Sequence, residues 1–347
     1  IIMPAFVFFS IMEIQNNASL LYHNTLRIDA TASVFAEYDN VPELLQLLEK
    51  YKGEKLFHIG AGSNVLFTND FDGVILHSKI NYYHEINRTE TEVYYEVGSG
   101  VALDEFIEYC VKNGLWGLEN LSYIPGEAGA SAVQNVGAYG VEIKDVIEFV
   151  NAVEVATGAP KSFTVAECKY GYRDSVFKHD IAGKYIITSV VYRLSLVPKP
   201  ILEYGNVAKS IPEGVDVNTL TANDIRQIII GIRKDKLPDV RELGSAGSFF
   251  KNPVVTQEKF KALQLLYPDI PHYVQTDGVK IPAAWLIEQC DWKGKNFGGA
   301  KVYEKQPLVI VNQNNATAYD VIVLAQSIVN SVKRKFALEL VAEVIYI

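Results

Sequence analysis

The sequence has few of the residues that usually mark a metal or redox site. Its three cysteines, Cys110, Cys168 and Cys290, lie far apart and form no C-x-x-C pair. The six histidines are equally scattered and show no H-x-x-x-H spacing. A zinc ribbon or a dithiol redox centre therefore has no candidate ligands, and we expect no metal and reduced, buried thiols.

A membrane-spanning run and a basic charge balance are also missing. The apolar stretch 1–11 is far shorter than the roughly 20 residues that span a bilayer, and it lacks the charged start of a signal peptide. Because Met3 and Met12 both follow other residues, we expect the native start at Met12. A net charge of −9 disfavours nucleic-acid binding but allows a small anionic ligand. These features predict a cytoplasmic protein.

What is present is a chain of 347 residues, 49% hydrophobic, which suits two or three domains. Apolar periodicity predicts helices over 41–50, 103–113, 222–233, 283–289 and 318–336. It predicts strands over 56–59, 71–80, 92–97, 146–157, 185–196, 308–311 and 341–347, with a long small-residue loop over 123–140. The segment 185–196 alternates between apolar and polar residues, as a half-buried strand should. This order is typical of an α+β fold with mixed sheets and not of regular βαβ alternation.

Two glycine-rich segments are candidates for binding a phosphate-containing ligand. The first, Gly60-Ala61-Gly62, follows a predicted strand and precedes Ser63 and Asn64, but Val65 replaces the third glycine of a dinucleotide fingerprint. The second runs from Ile124 to Gly140 and holds mostly small residues. Each could be a tight turn or close packing. Two such backbones facing one cavity would instead fit a dinucleotide with a pyrophosphate.

The ordered combination of motifs resembles one enzyme family. G-x-G-S-N-x-L-F begins at Gly60, and I-P-G-x-x-G-x-x-x-x-Q-N-x-G-A-Y-G begins at Ile124. G-Y-R-D-S, K-L-P-D, A-G-S-F-F-K-N-P and A-E-V follow over 171–175, 236–239, 246–253 and 342–344. From about residue 24 to 347 the chain resembles UDP-N-acetylenolpyruvoylglucosamine reductase, also called UDP-N-acetylmuramate dehydrogenase.

The resemblance implies a vanillyl-alcohol-oxidase-like (PCMH-type) FAD-binding fold of two α+β subdomains, followed by a C-terminal α+β substrate-binding domain. We place an N-terminal extension at 1–19, the two FAD-binding subdomains at 20–85 and 86–235, and the substrate-binding domain at 236–347. Glu203-Tyr204-Gly205 resembles the tyrosine loop of the family's long form.

The resemblance also implies the reaction. NADPH would reduce a non-covalently bound FAD, and the reduced flavin would then reduce the enolpyruvyl ether of a UDP-sugar to UDP-N-acetylmuramate, a peptidoglycan precursor. Ser248 matches the family's proton donor, Arg173 its carboxylate-polarising arginine and Glu343 its C-terminal acid. We expect a monomer.

The remaining family matches concern ligand contacts. The expected FAD contacts are Gly60, Gly62, Ser63, Asn64, Pro125, Gly126, Gly129, Ala130, Ser131, Asn135 and Gly137. The expected contacts with the UDP-sugar are Tyr139, Tyr204, Lys236, Asn252, Tyr273 and Gln306.

Several alternatives stay open at the level of sequence. Arg173 could form a surface salt bridge with its neighbour Asp174, and Glu339, four residues before Glu343, competes for the role of the acid. The chain could also be an alcohol-oxidising flavoenzyme of the same fold, or a non-catalytic binder of flavin or nucleotide sugar. The combination of Arg173, Ser248 and Glu343 favours the reductase.

Overall fold

The computed structural model describes residues 12–204, 206–276 and 278–347. The apolar stretch 1–11 with Met3, and Gly205 of the tyrosine element, lie outside these residues. Within the described residues, no helix has both the length and the apolar character needed to cross a bilayer.

A mixed four-stranded sheet begins the fold. Its strand order is β1-β2-β5-β3; β1 is antiparallel to β2, and both β2 and β3 are parallel to β5. The first of these strands falls within the segment assigned to the N-terminal extension and pairs with the second. The elements of this part are β1 (Ile14–Ser19), β2 (Thr31–Tyr38), α1 (Val41–Lys50), β3 (Leu56–Ile59), β4 (Val65–Leu66) and β5 (Phe71–Ser78).

A five-stranded antiparallel sheet in the order β11-β10-β12-β7-β6 forms the second layer. Its strands and the short hairpin β8–β9 are β6 (Tyr83–Arg88), β7 (Glu92–Gly98), β8 (Gly137–Ala138), β9 (Val141–Glu142), β10 (Ile147–Glu154), β11 (Pro160–Thr164) and β12 (Tyr185–Ser195). The accompanying helices are α2 (Leu103–Lys112), α3 (Ala128–Gln134) and α4 (Ala222–Lys236). Short 3-10 turns lie at Glu119–Leu121, Ile143–Asp145, Val176–Lys178, Ala208–Ser210 and Val217–Thr219.

The C-terminal part has its own core, which is built around α7 and two small sheets. The sheets have the orders β13-β19-β18-β17 and β14-β16-β15, and β20 pairs in parallel with β4 of the first part. The strands are β13 (Gly244–Ser248), β14 (Val254–Val255), β15 (Tyr273–Gln275), β16 (Gly278–Lys280), β17 (Asn296–Phe297), β18 (Ala300–Val302), β19 (Val309–Asn312) and β20 (Ile345–Tyr346). The helices are α5 (Gln257–Leu266), α6 (Ala283–Glu288) and α7 (Ala318–Phe336).

Two expectations about local structure are wrong. The stretch 123–140 is not all loop, because it contains the helix α3. The strand β12 does not alternate between buried and exposed positions but is buried along most of its length. It lies at the centre of its sheet, where Ile187 and Val190 pack in the core shared with α2 and α3 while Ile186 packs with α1. Both faces of the strand are therefore covered.

Candidate functional site

The two glycine-rich segments meet at one hollow. A Cβ atom placed on Gly60 would lie 2.9 Å from the Cβ of Ala130 in α3, so only glycine lets the turn approach the helix this closely. The hollow between them has a volume of about 120 Å³. Its lining includes Gly60, Ala61, Gly62, Ser63, Asn64, Ala130, Val133, Gln134 and Ile345. We call it the glycine hollow.

A second hollow of about 260 Å³ lies where residues 123–125 meet the turn after α4. Ile124, Pro125, Leu237, Pro238 and Val309 give it apolar walls, and Asp104, Arg233, Asp239 and Arg241 add charged groups. Gly247, the neighbour of Ser248, also lines it. Apolar walls with a few polar groups suit a planar ring with polar edges. We call this space the apolar hollow.

A polar cavity of about 640 Å³ lies between the β8–β9 hairpin and the C-terminal part. Its lining includes Gly137, Tyr139, Glu142, Lys144, Asp145, Tyr172, Arg173, Tyr204, Asn252, Gln275 and Lys280. Residues that lie more than a hundred positions apart in the sequence thus line the same cavity. We call it the polar cavity.

Arg173 and Glu343 form an ion pair beside the polar cavity. The Nε atom of Arg173 donates to Oε1 of Glu343 at 3.1 Å, and the two side chains are only 18% and 13% exposed. Another guanidinium nitrogen of Arg173 donates to the carbonyl of Gly137. Asp174 instead contacts His179, so the surface pair considered for Arg173 does not form.

The acid at the end of the chain is distinguished by its surroundings. Glu343 accepts hydrogen bonds from Arg173 and from Gln134 Nε2, the latter at 3.1 Å. Its competitor Glu339 is 66% exposed and pairs with Lys333 at 3.0 Å. The backbone N–H of Glu343 donates to the carbonyl of Phe249 at 2.9 Å, which brings Glu343 next to the strand that carries Ser248.

Tyr172, Tyr204 and Lys280 also line the polar cavity, and Tyr273 packs beside them. The rings of Tyr204 and Tyr273 stack with their centroids 5.2 Å apart. The Nζ atom of Lys280 lies 5.7 Å from the centroid of each ring and 5.1 Å from that of Tyr172, a cation–π arrangement. Burial, with help from the neighbouring tyrosines, raises the pKa of Tyr204 to about 12, so its hydroxyl remains a donor at neutral pH.

Asn252 connects this wall to helix α6 of the C-terminal part. Its Nδ2 donates to the hydroxyl of Tyr172 at 3.3 Å, and its Oδ1 accepts from the N–H of Ala283, the first residue of α6, at 2.8 Å. The hydrogen bonds fix the amide with its donor face toward the cavity wall.

Other predicted contacts lie elsewhere. The Oγ of Ser131 bonds to the carbonyl of Ala128 and to the hydroxyl of Tyr192, inside the core. Asn135 is fully buried and bonds to Glu142 and to the carbonyl of Gly171. A Cβ placed on Gly129 would lie 2.8 Å from Ser99. Ser131, Asn135 and Gly129 therefore contribute to the packing behind the two hollows.

Two predicted substrate contacts do not reach the polar cavity. Lys236 is exposed at the end of α4, and Gln306 accepts from the N–H of Leu308 at 3.4 Å. Neither residue is among those that line the three spaces described above. Gly126, by contrast, lies beside the glycine hollow, since a Cβ on it would be 3.3 Å from Ser63 Oγ.

Sequence reasoning missed Tyr172, Lys178, Arg233, Lys280 and Gln134. Tyr172 lies in the G-Y-R-D-S motif and Gln134 in the segment that begins at Ile124, and in both motifs the resemblance assigns roles to other residues. Lys178, Arg233 and Lys280 have no local pattern that separates them from surface cations, although they are partly or largely buried. Within the described ranges, no group of three or more His, Cys, Asp or Glu side chains is arranged to hold a metal ion.

Comparison with known proteins shows that the chain is similar to members of one enzyme family. Residues 239–347 match the family model of the UDP-N-acetylenolpyruvoylglucosamine reductase C-terminal domain, and residues 33–163 match an FAD binding domain. The chain is 46% identical over 331 residues to UDP-N-acetylenolpyruvoylglucosamine reductase from Bacteroides fragilis, covering 95% of this chain and 98% of that protein. It is 44% identical over 339 residues to the same enzyme from Porphyromonas gingivalis, with coverage of 97% and 100%.

A solved structure supports the fold. The crystal structure of UDP-N-acetylenolpyruvylglucosamine reductase from Thermus caldophilus matches with a TM-score of 0.66 at 22% identity, covering 97% of this chain and 99% of that one. Together with the FAD binding domain, this match confirms the predicted α+β FAD-binding fold.

Proposed function

Because the chain belongs to the UDP-N-acetylenolpyruvoylglucosamine reductase family, we propose that it reduces UDP-N-acetylglucosamine enolpyruvate to UDP-N-acetylmuramate with NADPH. The protein is a flavin-dependent oxidoreductase with FAD as its cofactor. The observation that carries the proposal is the Arg173–Glu343 pair at the wall of a cavity large enough for a nucleotide sugar. We further propose that the reaction serves peptidoglycan precursor synthesis in the cytoplasm and that the protein acts as a monomer.

The glycine hollow and the apolar hollow fit the pyrophosphate and the flavin ring of FAD. Because Gly60 has no Cβ, its turn lies close against α3, and Gly60, Gly62, Ser63 and Asn64 would present backbone to the pyrophosphate from the wall of the glycine hollow. Pro125 and Leu237 would contact the flavin ring through the apolar hollow. When bound, the flavin supplies the hydride that adds to the terminal vinyl carbon.

Arg173 would stabilise the negative charge that hydride addition creates. Negative charge collects on the adjacent carbon and on the substrate carboxylate, and a fixed cation stabilises it as it develops. The guanidinium is held in place by Glu343 and by the carbonyl of Gly137, so its orientation is set before substrate binds. Its planar fork suits a carboxylate better than a point charge does.

Ser248 would donate the proton to that carbon. The hydroxyl of serine is a weak acid in water, but the carbanion is a far stronger base, and a positioned donor can protonate it. Ser248 ends β13, and the next residue, Phe249, accepts the backbone hydrogen bond of Glu343. The proton donor and the acid are therefore attached to paired backbone segments.

The polar cavity would hold the UDP part of the substrate. Lys280 is 7% exposed and supplies positive charge beside Tyr172, Tyr204 and Tyr273. Tyrosines with neutral hydroxyls offer an apolar face to the nucleotide and a donor to the diphosphate. We also assign Tyr139 and Asn252 to this wall, and we keep Lys236 and Gln306 as contacts that substrate binding would have to bring closer.

The test follows two half-reactions in the purified, flavin-containing protein. Wild-type protein should oxidise NADPH continuously when UDP-N-acetylglucosamine enolpyruvate is added, and it should not turn over simple alcohols. Ser248→Ala should accept hydride from NADPH at nearly the wild-type rate. Its reduced flavin should then be reoxidised by the substrate at least about a hundredfold more slowly, because positioned proton transfer contributes factors of this size.

The exposed serine Ser210 provides the control variant Ser210→Ala, which should leave both half-reactions unchanged. Its hydroxyl donates to the carbonyl of Asn206 at 2.9 Å, and it lines none of the three spaces. No turnover of the enolpyruvyl substrate by wild-type protein would refute the proposed function. Equal losses in both half-reactions of Ser248→Ala would refute the role of Ser248 alone.

A further inference from the structure

A chain of three side chains extends behind the Arg173–Glu343 pair. The Nζ atom of Lys178 donates to Oε1 of Gln134 at 2.8 Å and to the carbonyl of Arg173 at 3.1 Å. The Nε2 atom of Gln134 in turn donates to Oε1 of Glu343 at 3.1 Å. Gln134, the last residue of α3, is only 8% exposed, so its amide is largely removed from water.

The hydrogen bond from Lys178 fixes the orientation of the Gln134 amide. An ammonium group has donors and no acceptor, so the amide atom facing it must be the oxygen. The NH2 group is then left on the side of Glu343, as the hydrogen-bond network requires. Without Lys178, the amide could turn and bring its oxygen toward the carboxylate, where two acceptors would repel each other.

Both donors reach the same oxygen of Glu343. Arg173 Nε and Gln134 Nε2 each lie 3.1 Å from Oε1. Among the described residues no hydrogen bond reaches Oε2. The carboxyl group therefore has one oxygen held by the protein and one left for the substrate.

We propose that Gln134 is a positioning residue, oriented by Lys178, that holds Oε1 of Glu343 so that Oε2 addresses the enolpyruvyl carboxylate. The inference rests on the proposed function, since it needs Glu343 to act on that carboxylate. It gives the Gln134 amide a role in the second half-reaction, in which the enolpyruvyl substrate is reduced. Lys178 acts indirectly, by orienting that amide.

The test compares variants that keep size but change donors. Gln134→Met removes both hydrogen bonds, whereas Gln134→Glu keeps the shape and places an acceptor against Glu343. We expect Gln134→Met to lower kcat/KM for the enolpyruvyl substrate about tenfold to a hundredfold, because a buried bond to a charged group is lost. Gln134→Glu should be at least as impaired. A role in packing alone predicts that Glu, the closer isostere, is tolerated.

Lys178 is tested by rescue and by a double-mutant cycle. Lys178→Met should lose activity as Gln134→Met does, and Lys178→Arg, which keeps a donor, should recover to within about fivefold of wild type. In a Gln134→Met background, Lys178→Met should add no more than about twofold, because both changes break the same chain. The exposed Lys169, which pairs with Asp180, gives the matched control Lys169→Met, with an expected change below about twofold.

Ligand binding provides the readout that a scaffold defect would not reproduce. UDP-N-acetylglucosamine lacks the enolpyruvyl carboxylate, so its affinity, followed by the change in the flavin absorbance spectrum, should be the same in Lys178→Met as in wild type. The affinity for the enolpyruvyl substrate should fall. The flavin content of each variant shows whether α3 still supports the glycine hollow.

The outcomes separate the two proposals. Wild-type protein that does not turn over the substrate overturns the proposed function and this inference with it. Wild-type turnover combined with additive losses in the double mutant, a tolerated Gln134→Glu, or equal weakening of both ligands overturns this inference and leaves the proposed function standing.

Discussion

Gly62→Ala should weaken FAD binding because the turn at Gly62 has no room for a methyl group. The residue has a φ of +63°, and a Cβ atom placed on it would lie 2.1 Å from the carbonyl oxygen of His23. That oxygen belongs to the backbone and cannot rotate away. Real Cβ contacts stay beyond 3.0 Å, so the turn or the segment around His23 must move by most of an ångström.

The chain offers a matched control in Gly114. Its φ is +69°, and no heavy atom lies within 4 Å of the corresponding Cβ position. Left-handed backbone costs alanine about 1–2 kcal/mol, which is partly offset by the lower entropy of the unfolded chain, about 0.4–1 kcal/mol. Gly114→Ala should therefore lower the free energy of unfolding by about 1 kcal/mol. It reports the backbone strain alone.

Gly62→Ala adds the clash and its consequences to that strain. The displacement would break the hydrogen bond from the N–H of Thr25 to the carbonyl of Gly62, 3.1 Å long, which contributes about 1 kcal/mol. Thr25 also bonds to Ser245 through both its carbonyl and its hydroxyl, so the shift reaches the strand of Ser248. We expect a total loss of at least about 3 kcal/mol, adding the strain, the bond and the backbone shift.

The assay measures urea unfolding of the flavin-containing protein and the FAD dissociation constant from flavin fluorescence. Gly62→Ala should bind FAD at least about tenfold more weakly than Gly114→Ala, a difference of about 1.4 kcal/mol. Equal losses of stability and of FAD affinity in the two variants would show that the close approach of His23 to Gly62 does not shape the turn.

Two further predictions concern stability. Asp104→Ala removes the nearer carboxylate partner of Arg226, whose side chain is 6% exposed, and leaves the more distant carboxylate of Glu108 at 3.7 Å, so chemical denaturation should show a loss of about 3 kcal/mol. Asp180→Ala, which breaks the exposed pair with Lys169, should cost less than about 1 kcal/mol, and similar losses in the two variants would contradict this reasoning. Hydrogen bonds to Glu127 and Glu37 outweigh burial and raise the pKa of His77 above 6.5. The folded protein then holds this proton more tightly than the unfolded chain, so the contribution is complete below pH 6.5 and is lost as the pH rises through the folded pKa. His77→Gln should flatten the fall in unfolding free energy over that window, and an unchanged slope would show that His77 does not cause it.

Helices with local signals were predictable from the sequence, whereas α3 was not. α1 begins at Val41 because Asn40 Oδ1 accepts from the N–H of Glu43 at 3.0 Å, and its leucines recur with helical spacing. α3 consists mainly of alanine and other small residues, which carry no amphipathic period. It is held by tertiary packing, with Ala128 and Ala132 in the core. Its helical state therefore depends on β12, which lies fifty residues later.

The same limit applies to the candidate site. The motifs indicated Arg173 and Glu343 through family resemblance, and the structure brings the two side chains into contact. Gln134 and Lys178 have meaning only through the distances that folding creates, and no spacing in the sequence reveals those distances. Lys236, selected by its motif, lies exposed, because a motif specifies residue types and not the side-chain direction at the end of a helix.

The register of the C-terminal segment relates the first glycine turn to the Arg173–Glu343 pair. The N–H of Lys251 donates to the carbonyl of Val341, and that of Glu343 donates to the carbonyl of Phe249. Two residues further on, the N–H of Ile345 donates to Asn64, in the first glycine turn, and Asn64 Nδ2 returns a hydrogen bond to the carbonyl of Glu343. Side chains alternate along an extended segment, so a shift of one residue would turn Glu343 away from Arg173. The hydrogen bonds that place Glu343 against Arg173 are thus continuous with those that fix the first glycine turn, and a change that loosens this pairing should impair cofactor retention and charge stabilisation together.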